Sequence, residues 1–419
     1  FKKLIELNPS TTIDGGRLTY LASMNYPSGI EQKSYIQECL KLGEKFNKFS
    51  KFSNFSKYSE KNDKIRIGFV SGDFRTHSVD FFLKDIIAKI DKSKFQSVAF
   101  SNLEKSRQDE ITDFYKKNFD EWYDIIDQND EDLIKFIRSL KVDILFDLNG
   151  FTFGNRINVF AARCAKIQIE WLGYNNSVGL DNMDYIIADK NLVNKEDEFL
   201  YKEKILYLPN IWNSMSKPKD LPNINNLPFN NDKIFKFGSF NSFKKISNDT
   251  IKVWSKILNS SDNCKLYLKN SGGYIKEVYD NLMGKFQKHN VDSKKIIFLG
   301  RSSKKEFLKD YNKIDLALDT FPYPGVTTTF QSYLMGVPVL TMRGFNINSR
   351  CGESININLG LKEFIADNYD DYFKKALSLQ DKNKLQDLRK TLRDKVLNSA
   401  LFDTEKFTKD LSDILKKLI

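Results

Sequence analysis

Histidine is nearly missing: His77 and His289 are the only two in 419 residues. A metal centre built on imidazoles is therefore not expected. Cysteine is scarce as well. Cys39, Cys164, Cys264 and Cys351 stand far apart, and no CxxC pair occurs. That spacing supports neither a disulfide framework nor a zinc site, and it points to reduced thiols in a cytoplasmic protein. No apolar run approaches the ~20 residues that a membrane-spanning helix needs. No secretory signal opens the chain, but Phe1 is not a native start, which leaves a leader open. GxGxxG and GxxxxGK(S/T) are both missing, which removes the dinucleotide fingerprint and the P-loop.

Basic charge is present in excess. Lysine and arginine total 66 against 55 acidic residues, for a net charge of +11. Such a balance suits nucleic acid, acidic lipid or phosphorylated ligands. Here the lysines are spread along the chain, and much of the excess lies in Lys45–Lys64. The charge reads as solvation plus one phosphate pocket, with no nucleic-acid partner expected. At roughly 100–200 residues per domain, the length implies two or three domains.

Residues 1–46 read as helical: an apolar stripe from Phe1 to Leu7 ends at Asn8-Pro9, a second helix runs from about Asp14 to Asn25, and a third covers Ile30–Phe46. The helix, turn, helix pattern with "LNP" at the joint resembles the last turns of a tetratricopeptide array. Residues 47–63 read as a linker, low in complexity, in which Lys, Ser and Asn alternate with aromatics. From Lys64 to residue 215, strands (Ile65–Val70, Gln96–Phe100, Val142–Leu148, Ile167–Leu172, Tyr185–Ala188, Ile205–Leu208) alternate with helical stretches. The Asn-, Pro- and Lys-rich residues 216–232 form a boundary. A second set then starts over in 233–419, with strands at Lys236–Phe240, Lys265–Leu268, Ile296–Leu299, Ile314–Leu318 and Val337–Met342. Helices at Glu363–Leu379, Lys384–Leu397 and Thr404–Leu418 close it. This alternation predicts an α/β protein with two Rossmann-like domains of parallel strands facing a cleft.

Leu316–Gly344 carries the densest chemistry. A short strand is broken by Pro322, Pro324 and Gly325, and Thr327, Thr328 and Thr329 then open a helix. Hydroxyls and free N–H groups at a helix start form an anion site, at the strand ends where open α/β sheets bind ligands. The bland alternative is a Thr-rich cap without a ligand. In the same domain, Asn241-Ser242-Phe243-Lys244-Lys245 follows a strand, and Lys245 either reaches a phosphate or is a solvated surface lysine. His77 lies in the loop after the first strand of the first domain, beside Asp73 and Arg75. It is a candidate ligand contact or base, or polar filler. Asp147, ending VDILFDL, is the carboxylate alternative, or a cap. His289 ends a charged helix and carries no expected function.

Five ordered motifs resemble one family. They are IRIGFVSGDFRTHSV (Ile65–Val79), ILFDLNGFTFGNR (Ile144–Arg156), IEWLGYNNSVGLDNMDY (Ile169–Tyr185), FGSFNSFKKISNDTIKVWSKIL (Phe237–Leu258) and LDTFPYPGVTTTFQSYLMGVPVLTM (Leu318–Met342). Together they resemble the SPINDLY-like and bacterial relatives of protein O-GlcNAc transferase, the family 41 type of glycosyltransferase, from about Lys64 to the end. The resemblance implies a GT-B fold behind a tetratricopeptide-type region. It also implies inverting transfer without a metal, from a nucleotide sugar to Ser or Thr of an acceptor protein. No cofactor is implied beyond the donor itself, UDP-GlcNAc or GDP-fucose. On this resemblance Lys245 contacts the diphosphate, Thr327 and Thr328 bind phosphate, and Lys304 borders the nucleotide base. His77 faces the transferred sugar. Asn241, Ser242, Thr152 and Thr329 complete the expected binding set. The sequence departs from its relatives at Val326, where Thr or His is usual, and at Gln331, where an acidic residue holds the ribose. It departs again at Asn175 and Gly150-Phe151-Thr152. These departures leave the sugar and the nucleotide open.

Overall fold

Short runs buried on both faces form most of the strands of this protein, and helices with a single apolar stripe connect them, so both sheets come out parallel. The structure, a computed structural model, describes residues 15–44, 63–270 and 275–419. The helix expected at Phe1–Leu7 and most of the Lys45–Lys64 stretch lie outside the described residues.

The chain divides into two units. The first comprises Ile30–Ser216, the residues up to Met24, and Asp403–Ile419; the second comprises Asn25–Gly29 and Lys217–Phe402. In the first, β1 (Ile65–Ser71), β2 (Phe95–Ser101), β3 (Glu121–Asp124), β4 (Ile144–Asp147), β5 (Ile167–Glu170), β6 (Tyr185–Asp189) and β7 (Lys204–Leu208) are ordered β3-β2-β1-β4-β5-β6-β7. The strand order reverses between β1 and β4, where residues Ile67–Val70 pair in parallel with Ile144–Asp147. In the second, β8 (Phe235–Ser239), β9 (Cys264–Lys269), β10 (Ile296–Leu299), β11 (Leu316–Leu318), β12 (Val339–Met342) and β13 (Ile365–Ala366) are ordered β10-β9-β8-β11-β12-β13. Here the reversal falls between β8 and β11. Loops leaving such a switch point are splayed apart and leave room for a ligand.

Local chemistry sets the element ends. Asn129 accepts a hydrogen bond from the Asp132 N–H and starts the helix Asp130–Ser139, which buries Leu133, Ile134 and Ile137. Asp109 and Thr112 cap Glu110–Asn118 reciprocally. The helices Gly15–Ser23 and Gln32–Gly43 pack Leu18, Leu21, Tyr35, Cys39 and Leu42 into the same core as Tyr174, Val178, Leu180 and Met183. They belong to the first unit's core and do not form a separate body.

Three expectations need correction. The terminal helix Thr404–Leu418 was expected in the second domain but packs in the first unit. Phe407 stacks on Trp171 with ring centroids 6.1 Å apart, and Lys89 Nζ donates to the Thr404 hydroxyl at 2.6 Å. Its apolar stripe demands a core without saying which core. The single helix expected at Glu363–Leu379 is instead a turn, then β13, then the helix Tyr369–Ser378. Asn368 accepts from the Asp371 N–H and starts that helix afresh. The helix Ile347–Asn358 was not foreseen, because Asn348, Ser349, Glu353, Ser354 and Asn356 are buried in it and mask any apolar period.

Candidate active site

At the second switch point, two loops meet. The chain leaves β8 through Asn241-Ser242 into a tight turn, Phe243–Lys245, in which the Ser242 carbonyl accepts from the Lys245 N–H at 2.9 Å. It leaves β11 through Asp319–Gly325. Lys245 Nζ crosses between them, donating to the Pro324 carbonyl at 2.8 Å and lying 3.8 Å from the centroid of the Tyr323 ring. Tyr26 packs against the same ring, with centroids 5.0 Å apart. Lys245 is thus no solvated surface lysine. Among the described residues no carboxylate lies within ion-pair distance of it. Burial pushes its pKa down to about 8, with Asp319 and Cys351 acting in the opposite direction. Keeping the ammonium charged at pH 7 costs on the order of 3 kcal/mol, which an arriving anion would return.

The helix Thr327–Leu334 begins beside this lysine. Its cap residue, Val326, has no side-chain acceptor to offer, so the N–H groups of Thr327 and Thr328 have neither an intrahelical nor a capping partner. The Thr328 hydroxyl donates to Asn241 Oδ1. Gly325 is required here: a Cβ would sit 2.6 Å from Asn241 Oδ1 and 3.0 Å from the Thr329 hydroxyl oxygen. A half-buried ammonium with no carboxylate at ion-pair distance, next to uncapped helix N–H groups, is a setting that suits an anion.

Asn241, Lys245, Thr328 and Thr329 are therefore brought together, with Thr327 at the same helix start. Thr329 is buried, its N–H bonded to the Val326 carbonyl, so it supports the turn from within. Gln331 is half-buried one turn further along. Lys304 opens the helix Lys304–Asp310 after β10, and Phe307 of that helix packs against Phe240, directly after β8, with ring centroids 5.8 Å apart. In the sequence Gly325 stood out only as a chain break, and Asp319 and Tyr323 did not stand out. Their position at a strand's carboxyl end beside the threonines was the available signal.

The first unit's switch point carries His77 and Thr152. His77 Nδ1 lies 3.6 Å from Asp73 Oδ2 and accepts from the Val79 N–H at 3.5 Å. Burial pushes the imidazole pKa below its usual value; Asp73 opposes this, and Arg75 and Arg107 add to it. The ring is accordingly neutral at pH 7. Asn149, also not singled out, ties the two loops together. Its Oδ1 accepts from the Gly72 N–H at 2.9 Å, and its Nδ2 donates to Asp73 Oδ2 at 3.0 Å and to the Thr152 hydroxyl at 3.2 Å. The Thr152 hydroxyl in turn donates to the Asn149 carbonyl at 2.7 Å, so Thr152 is engaged within its own loop.

Asp147 is fully buried and accepts from the N–H groups of Asn149 (2.9 Å) and Gly150 (3.1 Å), so it caps the loop from below. Glu170 pairs with it in register across β4 and β5 and is also fully buried. Among the described residues no N–H or hydroxyl donates to either Glu170 oxygen, and its side-chain partner is the Asp147 carboxyl. Burial raises the Asp147 pKa to about 6 and the Glu170 pKa well above its usual value, the neighbouring carboxylate adding to the latter. Raised folded-state values mean that this pair stabilises the fold fully below the unfolded carboxyl range, near pH 4, and that the contribution is lost as pH rises through about 6. Glu170→Gln should therefore flatten the fall in melting temperature between pH 5 and pH 8, and stabilise the protein at pH 8 by about 1–2 kcal/mol. An unchanged slope would contradict the pairing.

Among the described residues, no three His, Cys, Asp or Glu side chains gather so as to hold a metal ion, and no helix is long and apolar enough to cross a membrane. The model of glycosyl transferase family 41 matches residues 22–226 and 223–411. The chain belongs to this family. A probable UDP-N-acetylglucosamine–peptide N-acetylglucosaminyltransferase SPINDLY of Solanum lycopersicum is 31% identical over 360 residues, covering 84% of this chain and 38% of the relative. The SEC counterpart of Arabidopsis thaliana is 27% identical over 361 residues, covering 83% and 36%. This family 41 chain thus spans about two fifths of the length of these relatives. An O-GlcNAc transferase mutant of Thermobaculum terrenum superposes with a TM-score of 0.90 at 28% identity, over 99% of this chain and 78% of that one. HepE of Anabaena, in complex with UDP and glucose, shares the fold alone, with a TM-score of 0.53 at 12% identity. The fold is GT-B, with two Rossmann-like domains.

Proposed function

We propose that this family 41 chain is the transferring part of a protein O-glycosyltransferase. It moves a sugar, GlcNAc from UDP-GlcNAc, onto Ser or Thr hydroxyls of an acceptor protein, with inversion and without a metal. The observation that carries the reading is Lys245, a half-buried ammonium with no carboxylate of the described residues at ion-pair distance, beside the uncapped start of Thr327–Leu334. The acceptor oxygen attacks the anomeric carbon from the face opposite the diphosphate. The bond from that carbon to the phosphate oxygen breaks, and the nucleoside diphosphate leaves with the electron pair. Lys245 and the N–H groups of Thr327 and Thr328 stabilise the charge that develops on the leaving group. The acceptor proton passes to His77 or to a phosphate oxygen. Ser242, Asn241, Gln331 and Lys304 serve the donor from the second unit, and Thr152 serves from the first.

Gln331 favours a second reading of the donor. Where an acidic residue would hold a ribose, an amide offers hydrogen bonds without charge, and GDP-fucose becomes the alternative. Val326 and Gln331 also motivate a module that binds partners without turnover. One experiment separates the three. A panel of nucleotide sugars is screened by thermal shift and then by donor hydrolysis, all in EDTA. The proposal expects one donor to stabilise the protein and to be turned over at an undiminished rate with the chelator present. Binding without turnover supports the module. Turnover that stops in EDTA and returns with magnesium or manganese overturns the metal-free mechanism.

A further inference from the structure

We infer that Asp319 is the positioning residue of the anion site, holding both loops of the second switch point in place and supplying the charge that keeps Lys245 protonated. This rests on the reading of Lys245 as the diphosphate contact. Asp319 directly follows β11 and is buried. Its Oδ1 accepts from the N–H groups of Gly325 (2.7 Å) and Thr320 (3.0 Å) and from Asn241 Nδ2 (2.9 Å). Its Oδ2 accepts from the Thr341 hydroxyl at 2.9 Å. One carboxylate thereby joins both ends of the Thr320–Gly325 loop to the loop after β8. Asn241, held on one side by Asp319, accepts the Thr328 hydroxyl on the other, so the helix start is positioned through the same relay. Space is reserved for this group: a Cβ on Gly352 would come 2.8 Å from Asp319 Oδ2.

The electrostatic side is equally specific. The groups facing Lys245 are Asp319 directly after β11, Cys351 on the helix Ile347–Asn358, and the Tyr323 ring; the negative charge that holds its proton is foremost that of Asp319. The other groups facing Asp319 are the Tyr311, Tyr333 and Tyr372 hydroxyls, whose pKa values are all raised well above 10 by burial, with Asp319 adding to the effect. These tyrosines stay neutral over the range in which Lys245 and Asp319 titrate. A lysine that must stay charged while half-buried needs a counter-charge close by, yet a direct ion pair would compete with the phosphate. A carboxylate saturated by four other donors meets both needs.

Asp319→Asn tests the charge while keeping the shape, since the amide oxygen can still accept at the loop and the amide nitrogen can face Thr341. UDP and GDP affinity is measured by titration calorimetry from pH 6 to 9.5 in wild type, Asp319→Asn, Lys245→Ala and the double variant. The limb on which affinity falls as Lys245 loses its proton should move down by about one pH unit in Asp319→Asn. UDP would then be held up to about tenfold more weakly above pH 8, and the substitution should cost nothing further in the Lys245→Ala background. An unmoved limb, or losses that simply add, would overturn the inference and leave Asp319 a residue of the fold. Binding of both nucleotides unaffected by Lys245→Ala would instead remove the reading beneath it. Should Asp319→Asn fail to fold, the wild-type Lys245 side chain, followed by NMR and assigned by its loss in Lys245→Ala, decides. Two ionisations, its own near 8 and that of Asp319 near 6, are expected. A single step would overturn the coupling.

Discussion

Lys245→Ala should lower the rate of sugar transfer by 10²–10³-fold while leaving the fold intact. The ammonium faces a leaving group that gains charge only as the glycosidic bond breaks, and removing one preorganised donor of this kind costs about 3–4 kcal/mol of transition-state energy. The same change should act oppositely on the empty protein. Burial holds the Lys245 pKa at about 8, below that of an unfolded lysine. Below pH 8 the charged form is therefore a liability to the fold, relieved as pH rises from about 8 to the unfolded value near 10.5. Lost contacts to the Pro324 carbonyl and the Tyr323 ring offset part of the gain. The net expectation is a melting temperature at pH 7 equal to or above wild type, with turnover nearly abolished, as at sites where function is held against stability. Near wild-type turnover with the cognate donor would end the proposed role, and a clear loss of melting temperature would recast Lys245 as structural.

His77→Ala should reduce turnover 10²–10⁴-fold, the range for a lost general base, and change nucleoside diphosphate affinity less than twofold. The imidazole pKa is pushed below 6.5 by burial against the pull of Asp73, so a base at this position is already deprotonated at pH 7. The log of the wild-type rate should climb with pH through one ionisation below 6.5 and then level off, and that step should vanish in His77→Ala. A bound diphosphate raises the pKa and favours the other role, in which the imidazolium donates a hydrogen bond to sugar or phosphate. In that case the rate falls as pH rises through the same ionisation. Unchanged turnover in His77→Ala would return the residue to loop filler.

The parallel α/β character of both units was legible because strands such as Ile144–Asp147 and Leu316–Leu318 are short, largely apolar runs, and the helices between them carry one clear stripe. Three features resisted for identifiable reasons. The helix Ile347–Asn358 is buried through its polar residues, and so lacks a period. β13 is two residues long and hydrogen-bonds to Thr341 and Met342, a pairing that no local pattern announces. The terminal helix Thr404–Leu418 shows a strong apolar face but no sign of which unit it covers. The candidate site followed the same rule. The threonines and Lys245 are conspicuous because they follow strand ends and could meet an anion. Asp319 is not, because an aspartate in "LDT" looks like any turn residue until its four hydrogen bonds are counted. Asn149 is hidden in the same way: its importance lies in bonding Gly72 and Asp73, more than seventy residues earlier.

The most direct measurement is covalent transfer. The protein is incubated in EDTA with UDP-GlcNAc or GDP-fucose labelled in the sugar, together with a protein extract as acceptor, and labelled residues are identified by mass spectrometry. Transfer to protein hydroxyls predicts label from one of the two donors on Ser or Thr, with release of the matching nucleoside diphosphate and loss of both in Lys245→Ala. Donor bound by wild type but no label in protein from either sugar would contradict it.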